Sequence, residues 1–107
     1  MTPTREQLEL AAKAAGIEGW WTGSDYCYRY IGNPNVPIPW QPWEYKPDSF
    51  DLMVAIGGGH IAYFQGKIHF YTEDEMACVA LADHNNDKGL ATMWAVFLCA
   101  VEIGRAM

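Results

Sequence analysis

His60-Ile61-Ala62-Tyr63-Phe64-Gln65-Gly66-Lys67-Ile68-His69-Phe70-Tyr71-Thr72 is the stretch that decides how this chain folds. Two runs of β-branched and aromatic residues flank a Gln-Gly pair, the pattern of a hairpin closed by a two-residue turn. Pairing about that turn sets Ile61 opposite Phe70 and Tyr63 opposite Ile68 on one face. That face is apolar and is expected to meet helices. The other face, His60, Ala62, Phe64, Lys67, His69 and Tyr71, is mixed.

On the N-terminal side, Gly57, Gly58 and Gly59 stop a short helix. Asp48 reads as its N-cap and Asp51 as part of its first turn, with Phe50, Met53, Val54 and Ile56 apolar. On the C-terminal side, residues 75–82 support two readings. Thr72 with Glu75 makes a helical capping box, whereas Cys78, Val79 and Leu81 suit a third strand. The strand is preferred.

Asp83 to Asp87 is a polar turn, and Asp87 caps a last helix running to about Arg105. This helix has two adjacent apolar stripes: Leu90, Trp94, Phe97 and Val101, then Met93, Val96, Ala100 and Ile103. Only Thr92, Cys99, Glu102 and Arg105 form a polar strip. A helix so apolar is buried on more than one side, so it is expected to cross the sheet and touch another helix or a second subunit. The apolar stretch Leu90 to Val101 has twelve residues, against the roughly 20 that a bilayer span needs. A core helix is the expectation. The stretch 1–16 carries Arg5, Glu6, Glu9 and Lys13, unlike the apolar region of a signal peptide.

The first helix is expected from a cap at Thr2 or Thr4 to about Ala15, with Leu8, Ala11, Ala12 and Ala15 on one face and Gly16 as a left-handed C-cap. Residues 19–47 differ in composition, holding eight of the fifteen aromatics and five of the six prolines. Tyr26 to Ile31 suits a strand. Residues 33–47 cannot be a helix or a central strand, because proline removes donors and fixes φ. They are expected to form an extended arm. The fold class is therefore α+β: one domain over 1–107, a small antiparallel sheet of three to four strands with helices packed on it.

The 107 residues carry a formal net charge of -6 and are 50% hydrophobic and 19% charged. Wholesale disorder is excluded, and a general phosphate-backbone binder is disfavoured, since that needs a basic footprint. No nucleic acid and no membrane are expected as partners. The cysteines Cys27, Cys78 and Cys99 form no CxxC pair, which fits a reducing compartment. Cys27 is the one expected to be reachable.

No catalytic constellation stands out, and neither a metal nor a cofactor is expected. His60 and His69 lie diagonally across the hairpin, but zinc needs a third ligand. Asp83, Asn85 and Asp87 match the start of a calcium loop that lacks its glycine and its glutamate. Gly57 to Gly59 is a turn, or a seat for an anion. Asp48 and Asp51 are helix-capping residues rather than an acid pair, and no serine sits in a nucleophile elbow.

Binding surfaces are the stronger signal. Trp20, Trp21, Tyr26, Tyr28, Trp40, Trp43 and Tyr45 are candidate partner-binding residues, because aromatic side chains give large contact area at low entropic cost. Alternatively, Trp20, Trp40 and Trp43 pin the arm to its own domain. Glu73, Asp74 and Glu75 are either a solvated turn or an acidic patch for a basic partner.

Three places carry a resemblance. They are Leu10-Ala11-Ala12-Lys13-Ala14-Ala15-Gly16-Ile17, then Trp40-x-Pro42 followed by Asp48-x-x-Asp51, and Ala100-Val101-Glu102-Ile103-Gly104-Arg105-Ala106-Met107 after the turn containing Asp87. In these the chain resembles a family of small phage-encoded proteins named for an α/β/α "ABA sandwich" domain. The resemblance implies a sandwich-like layout, a temperate-phage or prophage accessory gene and no catalytic residue. The function it leads to is a non-catalytic, anti-CRISPR-like inhibitor that binds and neutralises a host protein or complex in the cytoplasm of the bacterial host. A homodimer through residues 90–107 is the accompanying expectation. The alternatives are a small-ligand or nucleotide-signal sponge, using the arm for stacking and Gly57 to Gly59 for phosphate, and a small enzyme.

Overall fold

Local chemistry starts the first helix, α1 (Arg5–Ala15), in a computed structural model that describes residues 2–32 and 34–107. The Thr4 hydroxyl accepts from the Gln7 N–H at 3.1 Å, and the Gln7 side chain accepts from the Thr4 N–H at 3.0 Å. That reciprocal pair satisfies two donors a helix start would otherwise orphan. Gly16, at φ 71°, ends the helix. Met1 and Asn33, which open the stretches read above at 1–16 and 33–47, lie outside the described residues.

The arm folds as a three-stranded antiparallel meander, β1 (Trp20–Thr22), β2 (Asp25–Ile31) and β3 (Val36–Pro39), in that spatial order. Pro37 and Pro39 sit in β3, which is an edge, where the missing N–H groups cost no ladder bond. The register shifts between Cys27 and Arg29 as β2 passes β3.

Helix α2 (Lys46–Ala55) starts earlier than the sequence indicates. Tyr45 is its N-cap, without a side-chain hydrogen bond, and Pro47 sits in its first turn, where a missing N–H is harmless. Asp48 is therefore inside the helix rather than capping it, because its carboxylate is engaged elsewhere.

The decisive hairpin forms in the expected register. Strands β4 (His60–Phe64) and β5 (Lys67–Tyr71) place Ile61 opposite Phe70 and Tyr63 opposite Ile68. Gln65 and Gly66, at φ 51° and 74°, make the turn with two left-handed residues. Residues 76–80 are a strand, β6 (Met76–Ala80), pairing with β5. The Thr72/Glu75 pattern serves the turn between them: the Thr72 N–H donates to the Glu75 carbonyl at 2.8 Å, and the Glu75 N–H to the Thr72 hydroxyl at 3.1 Å. A short 3-10 turn, Leu81–His84, leads to α3 (Lys88–Ala106), whose N-cap Asp87 accepts from the Leu90 N–H at 3.0 Å.

Among the described residues the fold is α+β, with two three-stranded antiparallel sheets and three α-helices. Helix α3 covers the inner face of β5 and β6, and α1 packs on α3. Trp40, Phe70, Phe97, Leu52 and Val101 are fully enclosed. The Phe97 ring meets Trp94 edge-on at 5.6 Å and Trp43 at 6.2 Å. The 19-residue α3 is long and apolar enough to cross a membrane by composition, yet it is packed among α1, α2, β5 and β6.

The second element α3 was expected to touch is thus helix α1. Its stripes, from Met93 and Trp94 to Ala100 and Val101, are buried within one chain, while Leu90, Leu98 and Ile103 are partly exposed. Cys99, placed on the polar strip by spacing, is also buried.

The hairpin departs from expectation in its cover. Ile68 and Phe70 are buried, but α3 does not reach over β4, and all five β4 residues are exposed. Ile61 and Tyr63 point to the helix side, where α3 reaches only the Tyr63 ring, through the side chain of its first residue, Lys88.

Candidate partner-binding surface

Tyr26, Trp40 and Trp43 belong to the core, each less than 10% exposed. The Tyr26 hydroxyl accepts from the Gly19 N–H at 3.0 Å, and its ring leans against Trp40 at 6.3 Å. These three residues pin the arm to the domain and offer no free surface.

Tyr28 fastens the arm to α2. Its hydroxyl donates to one Asp48 oxygen at 2.9 Å, and the Gln41 N–H donates to the other at 2.9 Å. Asp48 is buried, so both carboxylate oxygens need these partners. Burial, then the hydrogen bond and charge of Asp48, push Tyr28 up to about 12. Trp21 is half-buried on α1: its indole N–H donates to Glu9 at 2.9 Å, and the Arg5 guanidinium lies 4.1 Å above its ring.

Of the remaining arm aromatics, Trp20 is half-buried, and Tyr30 and Tyr45 are exposed. Trp20 stacks on Tyr30 at 4.8 Å. Tyr30 is 56% exposed, and the adjoining pair Ile31 and Val36 is equally open at the loop end of β2 and β3. Tyr45 is exposed where the arm enters α2. Sequence reasoning missed Tyr30, Ile31 and Val36 as site residues. The available signal was the alternation of tyrosines 26, 28 and 30, whose last member lies farthest from the core.

Glu73, Asp74 and Glu75 are elsewhere. They line a cleft of about 500 Å³ with Gly57, Gly58, Gly59, His60 and Met107, and no arm residue contributes to it. The Gly57 and Gly58 N–H groups donate to the Val54 and Met53 carbonyls, closing the end of α2, and carboxylates face them.

The histidines go separate ways. His60 stacks on Tyr71 at 5.2 Å, His69 Nε2 lies 3.8 Å from Cys78 Sγ, and His84 is buried beside Trp94. Burial lowers the His84 pKa. Among the described residues no three His, Cys, Asp or Glu side chains gather at metal-binding distance. The calcium-like turn uses Asp87 as a helix cap. Cysteine exposure is the reverse of expectation: Cys27 is buried and Cys78 is open, because β2 turns Cys27 inward whereas Cys78, opposite His69, lies on the face of β6 away from α3. Burial pushes the Cys99 thiol up. Comparison of the chain with protein-family models, with curated proteins and with solved structures gave no match.

Proposed function

We propose that this is a non-catalytic phage accessory protein that binds a host protein and neutralises it, the target being a component of an anti-phage system such as a CRISPR effector complex. The observation that carries the binding role is the open apolar end of the arm, where the Trp20–Tyr30 stack adjoins exposed Ile31 and Val36. Rigid aromatic anchors held on a β-ribbon lose little entropy on docking. The acidic turn at Glu73, Asp74 and Glu75 is a second, separate feature that favours a basic partner and speeds encounter. The phage setting rests on the sequence resemblance.

The test is affinity for the protein captured from the bacterial host, measured for wild type and a Trp20→Ala/Tyr30→Ala double variant. Loss of two anchors of about 2 kcal/mol or more weakens binding at least thirtyfold. The variant is expected to keep the wild-type circular dichroism, since neither side chain is core. A folded double variant that binds like wild type refutes the arm as the binding face.

A further inference from the structure

The two sheets have four edges, and they are unequally guarded. Strand β1 is only three residues long, and β3 carries Pro37 and Pro39. Strand β6 is flanked by Glu73, Asp74 and Glu75 at one end and by Asp83 at the other, so antiparallel self-pairing would set acid against acid. Strand β4 has neither proline nor charge, and its ladder with β5 runs through five consecutive pairs without a bulge. Folded proteins blunt their sheet edges because an open strand pairs with another chain. An unguarded edge with exposed Ile61, Tyr63 and Phe64 is the exception here.

We infer that β4 is the seat of a two-fold homodimer, in which a second copy of the chain lays its own β4 antiparallel to the first about Ala62. The two three-stranded sheets then become one of six strands. Backbone parity supports this register. The pair flanking a two-residue turn exchanges both hydrogen bonds, and pairs alternate thereafter. Residues 60, 62 and 64 therefore face β5, leaving the N–H and C=O groups of Ile61 and Tyr63 on the open edge. A two-fold centred on Ala62 sets Ile61 opposite the partner's Tyr63, twice, and satisfies all four groups. It also forms a row of two Ile–Tyr pairs on the helix side, continuous with the buried Ile68 and Phe70.

Charge favours the same orientation. Lys67 pairs with Phe64, and the Lys88 ammonium lies 4.5 Å from the Tyr63 ring, so two cations stand at one end of β4. Asp87, beside Lys88, is engaged as a helix cap. Glu73, Asp74 and Glu75 share a cleft with His60 at the other end. Antiparallel pairing brings the lysine end of each copy towards the acidic end of the other. The buried area is that of a five-residue strand pair and its side chains, below the roughly 1,600 Å² of a standard interface and in the size class of transient association, so the test extends to high concentration. The dimer carries two arms, and a target with two sites would bind it with avidity.

Sedimentation velocity over about 5 μM to about 1 mM chain tests this, since self-association is concentration-dependent. Wild type is expected to pass from monomer to dimer. Tyr63→Lys places like charges beside Lys88 and weakens the dimer about tenfold or more. Phe50→Lys, a change of the same kind on exposed α2, is expected to have no effect. Hydrogen exchange on the wild type supplies a readout that needs no variant. The Ile61 and Tyr63 amides slow as concentration rises, while the Ala62 amide, bonded to β5, does not change. A protein monomeric throughout, a dimer broken by Phe50→Lys and not by Tyr63→Lys, or Ile61 and Tyr63 amides indifferent to concentration each overturns the inference. None of these outcomes bears on the arm.

Discussion

Gly104→Ala sets two well-understood effects against each other. Helix α3 crosses α1 so closely that a Cβ on Gly104 would overlap the Leu10 carbonyl oxygen and stand 2.7 Å from the carbonyl carbon. Neither atom belongs to a side chain that can turn away. They are backbone within α1, whose Ala11 and Ala12 are already fully buried. Relief requires the helices to part, which thins the contact along their whole crossing. Overpacking of this kind costs about 1–3 kcal/mol. Against it stands the helix propensity of alanine, worth up to about 1 kcal/mol over glycine in a helix interior and less in a last turn. Position 104 is in the last turn of α3, so the contact wins. The expected net loss is about 1–2.5 kcal/mol, a fall in melting temperature of roughly 5–15 °C for a domain of this size. Urea unfolding measures it as a lower midpoint at unchanged slope. Gly89→Ala, in the first turn of the same helix, is the control. Its Cβ would meet only the Asp87 side chain, at 3.2 Å, and stability is expected to change by less than about 1 kcal/mol. If Gly104→Ala is as stable as wild type or more so, the close crossing of α1 and α3 is wrong.

Two further expectations concern titration and reactivity. The Tyr28 pKa is raised from 10.0 to about 12, so its contribution to stability is fully present below pH 10 and is lost as pH rises from 10 towards 12. Urea midpoints across that range are expected to fall more steeply for wild type than for Tyr28→Phe, and parallel curves would contradict the Tyr28–Asp48 bond. With Ellman's reagent, one thiol per chain, Cys78, is expected to react in the folded protein, while Cys27 and Cys99 react only on unfolding. A fast thiol that persists in Cys78→Ser would show that one of the other two is not enclosed.

The elements legible in the sequence are those whose instructions are local. The Thr4/Gln7 box, Gly16, the Gln65-Gly66 turn and the Asp87 cap each specify their structure within a few residues, and each forms. The strand at 76–80 was legible once alternation was preferred over the Thr72/Glu75 pattern, since a Thr-x-x-Glu sequence closes a turn as readily as it caps a helix. What could not be read depends on distant partners. Asp48 has the chemistry of a cap, and only the approach of Tyr28 and Gln41 diverts it. The aromatics at 20–45 look alike in composition. Their division into core Tyr26, Trp40 and Trp43, half-buried Trp20 and open Tyr30 and Tyr45 follows from how the arm meets α1 and α2. The uncovered apolar face of β4 is not legible in the same way, because pattern reports which face a helix would bury, not whether the helix is wide enough to reach it.

Both sheets are meanders of consecutive strands, and both helices that precede α3 are short; α3 closes the assembly after them. It contributes ten buried residues and touches α1, α2, β5 and β6. During synthesis, α1, α2 and all six strands are made before the helix they pack upon. At about 5–20 residues per second, the nascent chain spends several seconds exposing Leu8, Trp40, Leu52 and Phe70 before α3 arrives. Nascent chains in which residues 88–106 have not yet emerged are therefore expected to be substrates for holding chaperones, and termination before these residues is expected to leave a proteolysed product rather than a partial domain.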